Sequence, residues 1–187
     1  AISLKKMQVV SETARKNNLS IHLDGARFFN AVTALRCKPE ELANCADSVS
    51  ICLSKGLGTP LGTVLVGSSK FIRKARRNRK ILGGSMRQVG VVAAAGHYAL
   101  DNNISRLAED HKRADYFADE LRAMNIGNVD SGTNMVFFTP TDGQTEKLRS
   151  HLEKYSVKIG DQHPSIRMVL HRDISDENLE KAIAGFK

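Results

Sequence analysis

No apolar run in this chain approaches the ~20 residues that cross a bilayer as a helix, which excludes a helical membrane span of the ordinary kind. Tryptophan is absent and aromatic residues make up 5% of the chain. Cysteine is scarce as well. Cys37, Cys45 and Cys52 are odd in number and lack metal-ligand spacing, which excludes a disulfide framework and points to reduced thiols in a cytoplasmic protein, with no metal site. The sequence shows no signal-peptide pattern, and with no low-complexity tract and no internal repeat, disordered and solenoid classes are not expected.

What remains is a globular composition, 41% hydrophobic over 187 residues, with room for one large and one small domain. The net charge is +8, and it is local: Arg73, Lys74, Arg76, Arg77, Arg79 and Lys80 supply six of it within eight residues. Aromatics are absent within that cluster and its context is helical. It is read as a solvated helix face, with an anionic cofactor or a subunit as neighbour, and nucleic acid is not expected as a partner.

The chemistry concentrates in Ser54-Lys55-Gly56-Leu57-Gly58-Thr59-Pro60. The run Asp47–Leu53 reads as a buried strand, and Thr63–Val66 as a strand that returns after a connection too short for a parallel crossover. Lys55 therefore stands where a core strand emerges into a glycine-rich loop. A lysine partly desolvated there would have a lowered pKa and a free amine able to form a Schiff base. A second strand, Leu19–Leu23, ends in Asp24-Gly25-Ala26-Arg27. Ligands of open α/β sheets bind beyond the carboxyl ends of strands. A carboxylate there can keep a pyridine nitrogen protonated, and an arginine adds a planar cation for a phenolate or carboxylate. The plainer readings are a turn aspartate before glycine and a strand-end lysine.

His22-Leu23-Asp24-Gly25-Ala26-Arg27, Cys52 to Pro60 and Gly83-Gly84-Ser85-Met86-Arg87-Gln88, in this order, resemble the low-specificity threonine aldolases, and the resemblance extends to Arg167 and His171. It implies a pyridoxal phosphate (PLP) enzyme of the aspartate-aminotransferase-like α/β fold. Residues 1–102 would be the C-terminal part of a mostly parallel, PLP-binding large domain, 103–125 a connecting helix, and 126–187 a small α+β domain. The implied activity is retro-aldol cleavage of threonine or allo-threonine to glycine and acetaldehyde, by a homodimer or homotetramer acting on a small amino acid.

The resemblance also assigns roles. Lys55 holds the cofactor and Asp24 partners its ring nitrogen. Arg27 contacts the ring oxygen and the substrate carboxylate. Arg87 contacts the cofactor phosphate, and Arg167 the substrate α-carboxylate. Ser54 and Thr59 either donate hydroxyls to the phosphate or satisfy turn backbone. His22 is read as structural, on the face opposite Asp24. Lys80 and His171 are left without a role. Ser85 stands where the family usually has a third glycine, and Arg172 where an apolar residue is usual. About half of such an enzyme is expected to precede Ala1, including a histidine that stacks on the ring. The alternatives are another PLP lyase that eliminates from Cβ, marked off by its substrate, and a non-catalytic basic module, marked off by salt-sensitive nucleic-acid binding without a chromophore.

The remaining elements follow from periodicity. Helices are expected over Ser3–Asn17, Phe28–Leu35, Ser69–Lys80, Met86–Asn102, from a cap at Asn103 to Met124, over Gln144–Tyr155 and over Asp176–Phe186. Pro39 opens a short helical turn. Strands are expected over Thr133–Thr139, Val157–Gly160 and Ser165–His171, and Asp142 and Ser175 read as helix caps.

Overall fold

The computed structural model describes residues 1–141, 144–160 and 165–187. The expected cap at Asp142 lies outside them. The elements are α1 (Leu4–Lys16), β1 (His22–Gly25), α2 (Phe28–Leu35), α3 (Pro39–Ala43), β2 (Ser48–Cys52), β3 (Thr63–Gly67), α4 (Ser69–Ile81), α5 (Gly90–Asn102), α6 (Leu107–Met124), β4 (Gly127–Gly132), β5 (Met135–Pro140), α7 (Thr145–Glu153), β6 (Ile166–Val169) and α8 (Asp176–Phe186). They divide into two compact units, 1–107 and 108–187. Helix α6, expected as a connection, contributes Ala114, Phe117, Ala118 and Leu121 to the core of the second unit.

In the first unit β1 and β2 run parallel, with Asp24 opposite Ser50. β3 pairs antiparallel to β2, as the short connection predicts, with Cys52 opposite Thr63. One face of this sheet is apolar: Leu23, Val49 and Ile51 join Phe28, Val32 and Leu42 in a core under α2 and α3. The alternating face carries His22 and Asp24 on β1 and Ser48 and Ser50 on β2. His22 and Asp24 are two residues apart and thus share a face. The expectation that they point to opposite faces is corrected by the period of a strand, and His22 Nδ1 lies 2.9 Å from the Ser48 hydroxyl.

Gly25 lets these layers close. A Cβ there would sit 2.6 Å from the Ser50 carbonyl oxygen and 3.1 Å from Phe28 Cβ. Gly25→Ala is therefore expected to lower stability by about 1–3 kcal/mol, the usual range for overpacking, read as a drop in urea midpoint at unchanged m-value.

Helix α1 starts at Ser3, whose hydroxyl accepts from the Lys6 N–H, and α4 starts likewise at Ser68, accepting from Phe71. Helix α4 is solvated: none of its residues is buried. The expected start of α5 at Met86 moves to Gly90, because residues 87–89 form a turn with Gln88 at φ 51°. Ser85 takes no left-handed φ, so serine in place of a third glycine is not strained there.

In the second unit β4, β5 and β6 form an antiparallel sheet in that order. Phe138, Val136, Ile166, Leu179, Ile183 and Phe186 are buried between the sheet and its helices. Strand β4, Gly-Asn-Val-Asp-Ser-Gly, was not expected, because it has one β-branched residue and reads as a break. Pairing with β5 through a two-residue turn at Thr133-Asn134 makes it a strand. The Asn134 side chain donates to the Leu170 carbonyl (2.9 Å), and the Leu170 N–H donates to the Asn134 carbonyl (2.8 Å), which ties the hairpin to the end of β6. The expected strand at Val157–Gly160 is irregular instead: the Val157 N–H donates to the Leu152 carbonyl, closing the end of α7.

Candidate active site

Because β1 and β2 are parallel and in register, their carboxyl ends lie at one edge of the sheet. Asp24 is the next-to-last residue of β1, and Arg27 follows at the N-cap of α2. Lys55 lies three residues beyond the end of β2. Parallel pairing thus puts the carboxylate, the guanidinium and the amine at the same sheet edge.

The lysine loop is held by its backbone. The Leu53 N–H donates to the Gly62 carbonyl (3.0 Å), and the Thr59 N–H donates to the Leu53 carbonyl (3.1 Å). The Gly58 N–H donates to the Lys55 carbonyl (2.9 Å), and Gly58 and Gly62 occupy φ of 72° and 129°, which suit glycine. Two residues outside the motif complete the clamp. Asn103 was expected to cap α6. Its buried side chain instead donates to the Leu57 carbonyl (2.7 Å), 46 residues away in sequence. Buried Asn30 lies where a Cβ on Gly56 would come to 3.1 Å from its Oδ1, with Leu107 Cδ2 at 3.0 Å. The sequence signal for Asn30 was a polar residue on an apolar helix face, whereas Asn103, at the C-cap of α5, read only as a cap. Leu53 and Leu57 are buried with Ala99 and Leu107 beneath the loop.

The Lys55 side chain is exposed, which corrects the expectation of partial desolvation. The loop carries it past the sheet edge, and none of the described residues packs over its ammonium. One Asp24 oxygen accepts the Ala26 N–H (3.0 Å), an Asx-type turn, and the other oxygen makes no hydrogen bond among the described residues. Arg27 is half-buried, and its guanidinium is uncommitted among the described residues. Thr59 is buried and its hydroxyl donates to the Leu61 carbonyl (3.1 Å). That bond satisfies the turn backbone, one of the two roles expected for Thr59. Ser54 is exposed, with its hydroxyl 3.5 Å from the Cys52 thiol. Burial raises the Cys52 pKa, but hydrogen bonds from Ser54 and the neighbouring Lys55 charge outweigh it, so the thiol titrates below its ordinary value.

Arg87 is exposed in the turn before α5, whose N-terminus has no side-chain cap. Lys80 is exposed in the last turn of α4. Arg167 belongs to the second unit, on β6 opposite Phe137, and it is exposed between buried Ile166 and half-buried Met168. Arg167 is therefore not a half-buried charge in need of a partner; strand alternation turns it outward. Together with Lys158 it borders a largely apolar cavity of about 270 Å³ that also touches Val157, Ile159 and Met168. His171, half-buried, is 3.4 Å from the Asp173 N–H and 3.6 Å from its carboxylate.

The residues at the sheet edge fit pyridoxal phosphate: an uncommitted amine, a carboxylate oxygen without a hydrogen bond, and an uncommitted half-buried guanidinium, on a backbone closed by glycines that a side chain would disturb. The family model described as Beta-eliminating lyase matches residues 1–142. The low specificity L-threonine aldolase of Escherichia coli K12 is 44% identical over 176 residues, covering 94% of this chain and 53% of that protein. Low-specificity L-threonine aldolase 1 of Arabidopsis thaliana is 41% identical over 195 residues, covering 100% and 54%. The threonine aldolase structure from Leishmania major superposes with a TM-score of 0.82 at 17% identity, covering 98% of this chain and 56% of that one, which shows the same fold. The chain thus spans about half the length of the relatives it matches.

Proposed function

The chain belongs to the beta-eliminating lyase family, and from that premise we propose that it carries the lysine-and-aspartate part of a PLP-dependent threonine aldolase active site. The observation that supports this most is the register of β1 and β2, with Asp24, Arg27 and Lys55 at one sheet edge and the Lys55 amine, the Arg27 guanidinium and one Asp24 oxygen without a partner among the described residues. When bound, pyridoxal phosphate supplies a ring that accepts the electrons of a breaking bond next to the amino group.

Lys55 would hold the cofactor through its amine and release it to the substrate amine. Asp24, through its free oxygen, would keep a proton on the ring nitrogen. Arg27 would bind the ring oxygen and the substrate carboxylate, and Arg87, with the open N-terminus of α5, the cofactor phosphate. Ser54 would add a hydroxyl donor to that phosphate. Threonine and allo-threonine are the proposed substrates, glycine and acetaldehyde the products, and a homodimer or homotetramer in the cytoplasm the working form. Among the described residues no helix is long and apolar enough to cross a membrane.

Arg167 is proposed as a further carboxylate-binding residue. Arg167→Ala is expected to raise KM for L-threonine by about tenfold or more, since a charge-assisted hydrogen bond to a carboxylate contributes ~1.5–3 kcal/mol. Steady-state kinetics check this, and an unchanged KM would remove Arg167 from the substrate-binding residues.

The test of the whole reading is a chimera in which these residues replace the matched stretch of the E. coli K12 enzyme. It is expected to release acetaldehyde from L-threonine at on the order of 1 per second or faster. Failure of a folded chimera to do so would overturn the proposal. The 187 residues alone are expected to show no useful turnover, because Lys55 is uncovered and rate depends on held geometry. The same acetaldehyde assay checks this.

A further inference from the structure

Lys55 opens a tight turn. The Gly58 N–H donates to the Lys55 carbonyl (2.9 Å), so Gly56 and Leu57 are its two central residues. That bond fixes the shape of the turn, not its place on the sheet. Both central residues are held from outside the loop instead. A Cβ on Gly56 would come to 3.0 Å from Leu107 Cδ2 and 3.1 Å from Asn30 Oδ1, so the turn backbone lies directly on these two side chains. The Leu57 carbonyl, which the turn's own bond leaves unused, accepts from the Asn103 side-chain amide at 2.7 Å. Asn103 is 7% exposed, and its backbone N–H is bonded to the Ala99 carbonyl (2.9 Å) at the end of α5. The grip is thus anchored in a helix rather than in another loop, and it is made out of reach of bulk water.

We propose that Asn103 is a positioning residue for Lys55: through the Leu57 carbonyl it pins the turn that begins at Lys55 to the end of α5, and so sets where the amine stands on the sheet edge it shares with Asp24. This rests on the reading of Lys55 as the cofactor-holding amine. The residue type follows from chemistry. A carbonyl oxygen only accepts, so its partner must donate, and an asparagine amide does so at every working pH without bringing a charge into a buried place. Leucine, of similar size, would leave the carbonyl buried without a donor. Aspartate has the same shape, but only its acid form donates. Burial raises the pKa of a carboxyl above its usual ~3.9. The introduced acid would therefore be protonated below that raised value and ionised above it, where two oxygens would face each other. Asn103→Asp makes the bond a function of pH, present on the acid side and lost as pH rises.

Two readouts test this. In the full 187-residue chain without cofactor, Asn103→Leu is expected to speed amide hydrogen exchange at Gly58 and Thr59 by about tenfold or more, while the amides of β2 keep their protection. In the E. coli chimera, Asn103→Leu is expected to lower kcat per Lys55-bound cofactor on the order of ten- to a hundredfold, the scale of a misplaced reacting group, with KM for L-threonine within about twofold. Bound cofactor is counted by borohydride reduction and peptide mapping, so a loss of folded protein lowers the count and leaves the ratio unchanged. Asn103→Asp is expected to match the parent at about pH 5 and to behave as Asn103→Leu at about pH 8, each compared with the parent at the same pH. Should Asn103→Leu fail to fold, this pH series on a single variant carries the test. The proposal is overturned if either the exchange or the kcat per bound cofactor stays parental in Asn103→Leu, or if Asn103→Asp shows no change with pH relative to the parent. A label on another lysine of the parent instead overturns the reading of Lys55 itself, and the proposal with it.

Discussion

Lys55→Ala in the E. coli chimera is expected to abolish threonine cleavage, with a loss on the order of 10³-fold or greater, as for removal of other covalently acting residues. The reason is positional. Lys55 is the one lysine that follows the parallel strand β2 at the carboxyl edge shared with Asp24. Its loop is fixed through the backbone: Leu53 is bonded to both Gly62 and Thr59, and Leu57 is bonded to buried Asn103. The alanine variant keeps all of these bonds, so the loss should come without a change in stability. Borohydride reduction in the presence of pyridoxal phosphate, followed by peptide mapping, gives a second readout. The reduced label should fall on Lys55 in the parent and be absent from the variant. A dominant label on any other lysine would remove the assignment.

Asp24→Asn is expected to leave the cofactor bound while kcat falls on the order of 10²- to 10⁴-fold, the range for loss of a positioned proton-holding group. The substituted amide would still offer an oxygen to the Ala26 N–H, so the turn that starts toward Arg27 and α2 should survive. What it lacks is the negative charge that favours a proton on the facing ring nitrogen. The measurement is kcat beside cofactor occupancy, with the urea midpoint as a control. Near-normal kcat would make Asp24 a turn residue and nothing more.

The residues proposed to bear the chemistry stand in short motifs whose glycines act locally, and those local constraints were legible. Gly25 is required by the close approach of Ser50 and Phe28, and Gly58 by its positive φ, so the amino acids around Asp24 and Lys55 carry their own local reasons. The helices of strong period were legible too: α2 and α8 fall where the apolar spacing and the Ser175 cap put them. The antiparallel return of β3 followed from the length of one loop.

Other features were decided by contacts between segments distant in sequence. Asn103 reads as a helix cap from its neighbours, yet it bonds Leu57, because folding brings a buried carbonyl to it and a buried carbonyl needs a donor. Strand β4 has poor β-forming residues and exists because β5 supplies its ladder. The exposure of Lys55 is likewise invisible in the sequence. An apolar run such as Thr-Val-Leu-Val predicts a strand, but whether both of its edges are paired depends on how many strands stand beside it. The sequence by itself determined the local turns around the side chains proposed to do the chemistry. Only the tertiary structure decided which of them share a sheet edge, which face of β1 His22 and Asp24 occupy, and which surfaces stay open, because those depend on register and burial between segments that no local pattern encodes.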